Sequence, residues 1–271
     1  MKKAAPYPWE DITLRSLWAL YLVVLVALPL AAMTTVAFKE GAPSFFVAIT
    51  SGRAVAAVTL TLWTALVAAV VNAVLGTTLA WVMTRYQFLG RDLLSKVIDL
   101  PFSIPTLVTG VMIVILLGPQ SPIGSRLAYA GLPIAFSVPG IVIALLFVTL
   151  PIVVRAVEPV LLALDPAEEE AAAMLGAGKL QTFRQVIWPS IRAAVLTGTI
   201  QTFARAIAEF GAIVVVSGNI PGRTLTAPVL IYGEVEGGRV DVAASVSTVL
   251  LVIAIALLWA RRVLERRVIH D

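Results

Sequence analysis

The 271-residue chain has no cysteine, a single histidine (His270) and charge on only 13% of its residues. Without cysteine there is no disulfide framework, no thiolate metal site and no cysteine nucleophile. One histidine gives no basis for a His-based metal cluster or a Ser-His-Asp triad, so no catalytic and no metal-ligating residue is expected. The scarcity of charge is the most restrictive absence, because ordinary soluble domains carry about 25% charged residues. What fills the space is apolar: 59% of the residues are hydrophobic and the mean hydropathy is +0.96. The 20 basic and 16 acidic residues cannot cover a soluble globule of this size. A soluble enzyme, a secreted disulfide scaffold and a disordered chain are excluded, and a polytopic membrane protein remains.

A helix needs about 20 mostly apolar residues to cross the hydrocarbon core. Six segments meet that length, and the chain is expected to be an all-α membrane protein of one domain with spans at Leu17–Phe38, Ala54–Met83, Val97–Leu117, Ile134–Leu162, Ile191–Val216 and Val242–Ala260. Pro101, Pro105, Pro139 and Pro151 fall in the third and fourth spans and are expected to bend them, because proline removes a backbone donor. Such bends serve helix packing or form the wall of a moving pathway.

The pI near 9.6 does not indicate nucleic-acid binding, because the basic residues form no stripe. They sit between the apolar runs, fourteen on one side, including Lys2, Lys3, Arg85, Arg155 and Lys179, against five on the other. By the positive-inside rule the richer side is cytoplasmic and both termini face it. The first apolar run is not expected to be a cleaved signal peptide: Glu10 and Asp11 precede it and no clean small-x-small site follows.

The longest polar interval on that side is 165–189, DPAEEEAAAMLGAGKLQTFRQVIWP. Asp165 suits an N-cap, Pro166 the first helical position, and Glu168 completes an Asp-x-x-Glu capping pattern. Glu168, Glu169 and Glu170 also favour the positive end of the helix dipole. Gly176 and Gly178 stop that helix, and a second amphipathic piece, Leu180–Trp188, is expected to end at Pro189. Gly178-Lys179 is not a phosphate-binding loop: the first glycine position is Ala173, the Ser/Thr position is Leu180, and no strand precedes it. The chain is expected not to hydrolyse ATP.

Glu170-Ala171-Ala172, Gly176 and Val186-Ile187-Trp188-Pro189 resemble the EAA signature of bacterial ABC importer permeases, EAA-x3-G-x9-I-x-L-P. The spacing is kept throughout, with Val186 for Ile and Trp188 for Leu. The resemblance implies the type I importer fold, with 165–189 as a coupling segment that docks in a groove of a cytoplasmic ATPase. Glu168, Glu169, Glu170, Ala171, Ala172, Gly176 and Pro189 are then the docking residues. It also implies that ATP and magnesium reside on a partner ATPase dimer, with no cofactor in this chain. Further implied partners are a second permease subunit, identical or similar, and an extracytoplasmic binding protein.

Arg205 and Glu209 lie four residues apart inside the fifth expected span, on one helix face. A mid-bilayer arginine costs about 2.5–3.5 kcal/mol on translocon scales, so the pair should face the bundle interior or a water-filled cavity. Two readings stay open: an ion pair that fixes the packing of this span, or a lining or gate of the translocation pathway. Arg205-Ala206-x-x-Glu209-Phe210-Gly211-Ala212 with Ser217-Gly218-Asn219-Ile220-Pro221 resembles the permeases for tetrahedral oxyanions, although these usually have Gly where this chain has Ala208. Thr226-Ala227-Pro228 and Phe136-Ser137-Val138-Pro139-Gly140 lean towards sulfate or thiosulfate, with molybdate or tungstate as the alternative. Asn219, Ile220, Pro221 and Gly222 form a turn signal, in the region that approaches the binding protein in that family. Gly233-x3-Gly237 is discounted as a helix-dimer motif because it falls in a charged loop. The implied setting is the bacterial cytoplasmic membrane. A secondary transporter would share the spans and buried charges but has no use for a docking segment. An intramembrane aspartyl enzyme would need a pair of mid-span aspartates, and Asp99 is single.

Overall fold

The computed structural model describes residues 8–268; Lys2, Lys3 and His270 lie outside the described residues. The described elements are all helical. They are α1 (Pro8–Leu22), α2 (Leu28–Ala37), α3 (Ala42–Thr50), α4 (Gly52–Arg85), α5 (Arg91–Ser103), α6 (Thr106–Leu117) and α7 (Pro122–Tyr129). There follow α8 (Val138–Ala163), α9 (Pro166–Met174), α10 (Lys179–Thr182), α11 (Trp188–Ile207), α12 (Gly211–Val216), α13 (Ala227–Glu236) and α14 (Val240–Val268). π turns at Val23–Ala27 and Phe183–Ile187 make α1–α2 and α10–α11 continuous rods.

Four stretches among the described residues are long and apolar enough to cross a membrane: Leu14–Ala37, Gly52–Arg85, Val138–Ala163 and Val240–Ala260. The expected third span is not one straight helix, because α5 and α6 meet at 111° and together make at most a fifth crossing. Proline disfavours the helical region in the residue before it, and Ile104 before Pro105 is extended at φ −89°, ψ 128°. Pro105 itself then caps α6. The expected fifth span is also divided, since α11 ends at Ile207 and α12 begins at Gly211. Pro139 bends nothing, because it sits in the first turn of α8, where its missing N–H has no partner to lose.

The core is the contact of α4, α8 and α11. Along α4 the buried positions are mostly small (Ala54, Ala57, Thr61, Ala65, Ala68, Asn72, Gly76, Ala80), a stripe that lets another helix backbone come close. At Gly76 a Cβ would lie 2.7 Å from Val153 Cβ, and from the other side of α8 a Cβ on Gly198 would meet Val153 Cα at 3.2 Å. Asn72, fully buried, donates to Leu146 O at 3.0 Å and Thr149 Oγ1 at 2.9 Å, one turn before Pro151 in α8. The α1–α2 rod differs: none of its most apolar window is buried, and α2 meets the rest through Ala37, which packs with Phe45 and Ala244.

Candidate functional site

Residues 165–189 fold as the capping signals imply and carry the first candidate site. Asp165 Oδ1 accepts from Ala167 N–H at 2.9 Å and starts α9; the reciprocal bond of a capping box, from Asp165 N–H to Glu168, is not made among the described residues. At the far end Gly176 N–H donates to Ala173 O and Ala177 N–H to Ala172 O, each at 3.0 Å. This is a Schellman turn, and Gly176 adopts the left-handed φ of +85° it requires. A Cβ there would touch nothing within 4 Å, so the glycine is needed for its backbone and not for space.

Pro189 does not end the second piece of the segment. The helix runs through it into α11, because the π turn Phe183–Ile187 shifts the bonding register and Trp188 N–H donates to Phe183 O. The same device precedes Pro29, where Leu28 N–H donates to Val23 O. A π turn absorbs the extra residue and lets the rod continue past a proline that has no donor.

Between α9 and the α10–α11 rod lies a cleft of about 700 Å³. Ala171, Ala172, Gly176 and Pro189 of the motif line it, together with Glu168 and Gln185. Positions as far apart in the sequence as Glu168 and Pro189 therefore face one concave surface. Met174, beside it, and Leu175, which also lines it, are each 89% exposed, an apolar tip that no described residue covers. Glu170 is exposed, whereas Glu169 turns away from the cleft and pairs with Arg85 at the end of α4.

Arg205 and Glu209 are brought together although the helix ends between them. Arg205 Nη1 lies 2.7 Å from Glu209 Oε2, and the Glu209 side chain is 1% exposed against 41% for Arg205. The other carboxylate oxygen of Glu209 accepts from Ala212 N–H at 3.0 Å. One buried acid thus pairs with the arginine and caps the start of α12, where a negative charge is favoured. Gly211 allows this break to sit against α6: a Cβ there would fall 2.2 Å from Thr106 Oγ1.

Asn219–Gly222 is a tightly bonded turn. Asn219, at φ +57°, donates from its amide to Val214 O at 3.0 Å, and Ser217 Oγ donates to Asn219 Oδ1 at 2.6 Å. Ile220 O accepts from the N–H groups of Arg223, Thr224 and Leu225. Ile220, Pro221 and Gly222 are exposed, and Gly222 and Arg223 border a cleft of about 580 Å³ shared with Val55, Thr59 and Trp63 of α4.

Three polar groupings went unmarked in the sequence, each with at least one member distant along the chain. Arg155 donates to both carboxylate oxygens of Asp99, at 2.9 and 2.6 Å, and to Ser95 Oγ at 2.9 Å, while pairing with Glu158. It therefore lies within α8 and joins α5 to α8, instead of sitting in a loop as the charge count placed it. Glu234, 4% exposed, pairs with Arg239 and lies 3.6 Å from Arg53. Its hydrogen bond holds the Arg239 guanidinium above its ordinary pKa. Asn72 with Thr149 is the third. Gly233 lies inside α13 and not in a loop, and a Cβ on it would meet nothing within 4 Å, so no close packing depends on it. No group of three or more metal-type ligands occurs among the described residues.

The family described as "Binding-protein-dependent transport system inner membrane component" matches residues 73–270. The sulfate transport system permease protein CysW of Synechocystis sp. is 43% identical over 250 residues, spanning 92% of this chain and 91% of that relative. The CysT protein of the same organism, also a sulfate transport system permease, is 37% identical over 265 residues, spanning 94% and 92%. A chain in the crystal structure of a bacterial alginate ABC transporter in complex with alginate-bound periplasmic protein superposes with a TM-score of 0.78 at 18% identity, over 96% of this chain and 95% of that one.

Proposed function

The chain belongs to the family of binding-protein-dependent transport system inner membrane components, multi-pass ABC importer permeases, and on that premise we propose that it is the membrane-spanning subunit of an ATP-driven sulfate importer. The observation that carries the substrate is the 43% identity to a sulfate permease over nine-tenths of both chains. It supports sulfate or thiosulfate over molybdate or tungstate.

In this reading the chain spans six times, with the bent α5–α6 pair and the divided α11–α12 pair each counted as one crossing, and both termini are cytoplasmic. The cleft beside α9, with Glu168, Glu170, Ala171, Ala172, Gly176 and Pro189, is the surface that meets the ATPase dimer. The exposed Met174 and Leu175 enter the groove of the ATPase as an apolar anchor, in the manner of a helix laid in a groove. ATP and magnesium are held by that partner. A second permease subunit completes the pathway, and Asn219–Gly222 faces the sulfate-binding protein on the opposite side. Closure of the ATPase dimer moves α9, and the helices rock between inward-open and outward-open arrangements. Arg205, 41% exposed in the single chain and aimed from a span, borders the pathway and offers the passing anion a weak cationic contact.

The test is uptake of radiolabelled sulfate by a bacterium lacking its own sulfate permeases, expressing this chain with its partner subunits. Uptake restored and suppressed by excess thiosulfate, but not by excess molybdate, is the expected result. Suppression by molybdate alone would move the assignment to the alternative oxyanions.

A further inference from the structure

Docking force applied to α9 must reach the spans, and α9 is loosely attached: none of its residues is buried. Along the chain it connects to α8 through Leu164–Asp165 and to the α10–α11 rod through the turn at Gly176. Among the described residues one ion pair joins α9 to another helix, and it goes to neither neighbour. Arg85, the last residue of α4, pairs with Glu169 across 84 residues of sequence, with side chains 22% and 27% exposed.

Arg85 has few other options. Its guanidinium carbon lies 5.4 Å from the centroid of the Trp81 ring, a cation–π distance. Its Nε is buried without a hydrogen-bond partner. Trp81 in turn meets Phe183 edge-on at 6.0 Å, and Phe183 faces Trp188 at 6.4 Å. Phe183 and Trp188 flank the π turn that carries the rod past Pro189. The end of α4 is thus held to α9 by charge and to the start of α11 by an aromatic chain.

We propose that Arg85 is a positioning residue whose pair with Glu169, backed by Trp81, makes α9 and the inner end of α4 move as one body. Displacement of α9 then reaches α4 directly, as well as through α8 and α11. The inference rests on the docking of the ATPase at α9.

The absence of native cysteine lets spin labels be placed at Leu89→Cys and Ala173→Cys alone, both on exposed residues and neither among the docking residues. The full-length chain is reconstituted with its partner subunits, and the distance between the labels is measured by electron–electron resonance. A narrow distribution is expected in the parent and a broad one in Arg85→Ala and in Glu169→Ala. Sulfate imported per ATP hydrolysed should fall about threefold in these variants, within the range of coupling residues off the binding sites. The exchanged pair Arg85→Glu with Glu169→Arg should recover both readouts, which a generally unstable protein would not do. Unchanged distances in the single variants, an unchanged ratio of transport to hydrolysis, or no recovery in the exchanged pair each overturn the proposal. Failure of the parent chain to retain the ATPase on co-purification overturns the docking reading itself, and the transmission with it. Unchanged distances overturn the tie alone.

Discussion

Glu209 shows how much one side chain does in this fold. Its two carboxylate oxygens serve different partners, Arg205 and the Ala212 N–H, so removing the charge and removing the side chain are different experiments. Glu209→Gln keeps an acceptor for the start of α12 and leaves Arg205 without its counter-ion. Glu209→Ala loses both and should be less stable than Glu209→Gln by about 1 kcal/mol, the usual worth of a helix cap. Thermal unfolding of the purified protein measures this, and equal midpoints would show that the bond to Ala212 contributes nothing. The i,i+4 spacing made the ion pair legible in the sequence. The cap was not legible, because it depends on α11 ending two residues before Glu209. Asn72, Glu234 and Arg155 were illegible for another reason: Thr149, Arg53 and Asp99 come alongside them from helices that only the folded arrangement brings near. Arg85 resembled any basic residue at the end of a span, although Trp81 one turn earlier is a local sign of a cation–π contact.

Local chemistry governs the elements. The caps of α9 were readable because Asp165, Pro166 and Gly176 act through backbone groups a few residues away. The proposed docking surface depends on the turn at Gly176, where φ is +85° and a Cβ has open space. A β-branched residue is strained there, and asparagine tolerates the left-handed region. Gly176→Val should therefore lose most of the ATPase on co-purification, and Gly176→Asn should keep more of it with membrane insertion unchanged in both. Equal retention by the valine variant and the parent would show that the turn does not shape the docking surface. The breaks in the third and fifth expected spans were harder to foresee, because apolar content runs straight across them. Pro105 marked a place for the first. The second needs both a buried carboxylate cap and a glycine against Thr106; Glu209 lowers the hydropathy of the stretch, but that alone does not say that the helix breaks there.

At the scale of the whole molecule, three helices, α4, α8 and α11, approach through small residues. Gly76→Val should push α4 off Val153 and cost about 1–3 kcal/mol, the usual range for overpacking a tight contact. A lowered unfolding midpoint checks it; an unchanged midpoint would mean that α4 and α8 separate freely. The scarcity of charge that marks the sequence acquires a layout in the fold. Several of the described charges sit at helix ends and on α9, while others inside helices are paired: Arg155 with Asp99 and Glu158, Glu234 with Arg239, and Arg205 with Glu209. The central claim is that this chain carries sulfate on energy supplied by a docked ATPase. Its most direct test is sulfate uptake by proteoliposomes containing the chain, its partner permease, the ATPase and the binding protein. Uptake that requires ATP on the ATPase side, survives ionophores and disappears when the ATPase is omitted is the predicted result. Uptake driven by an ion gradient without ATP would contradict it.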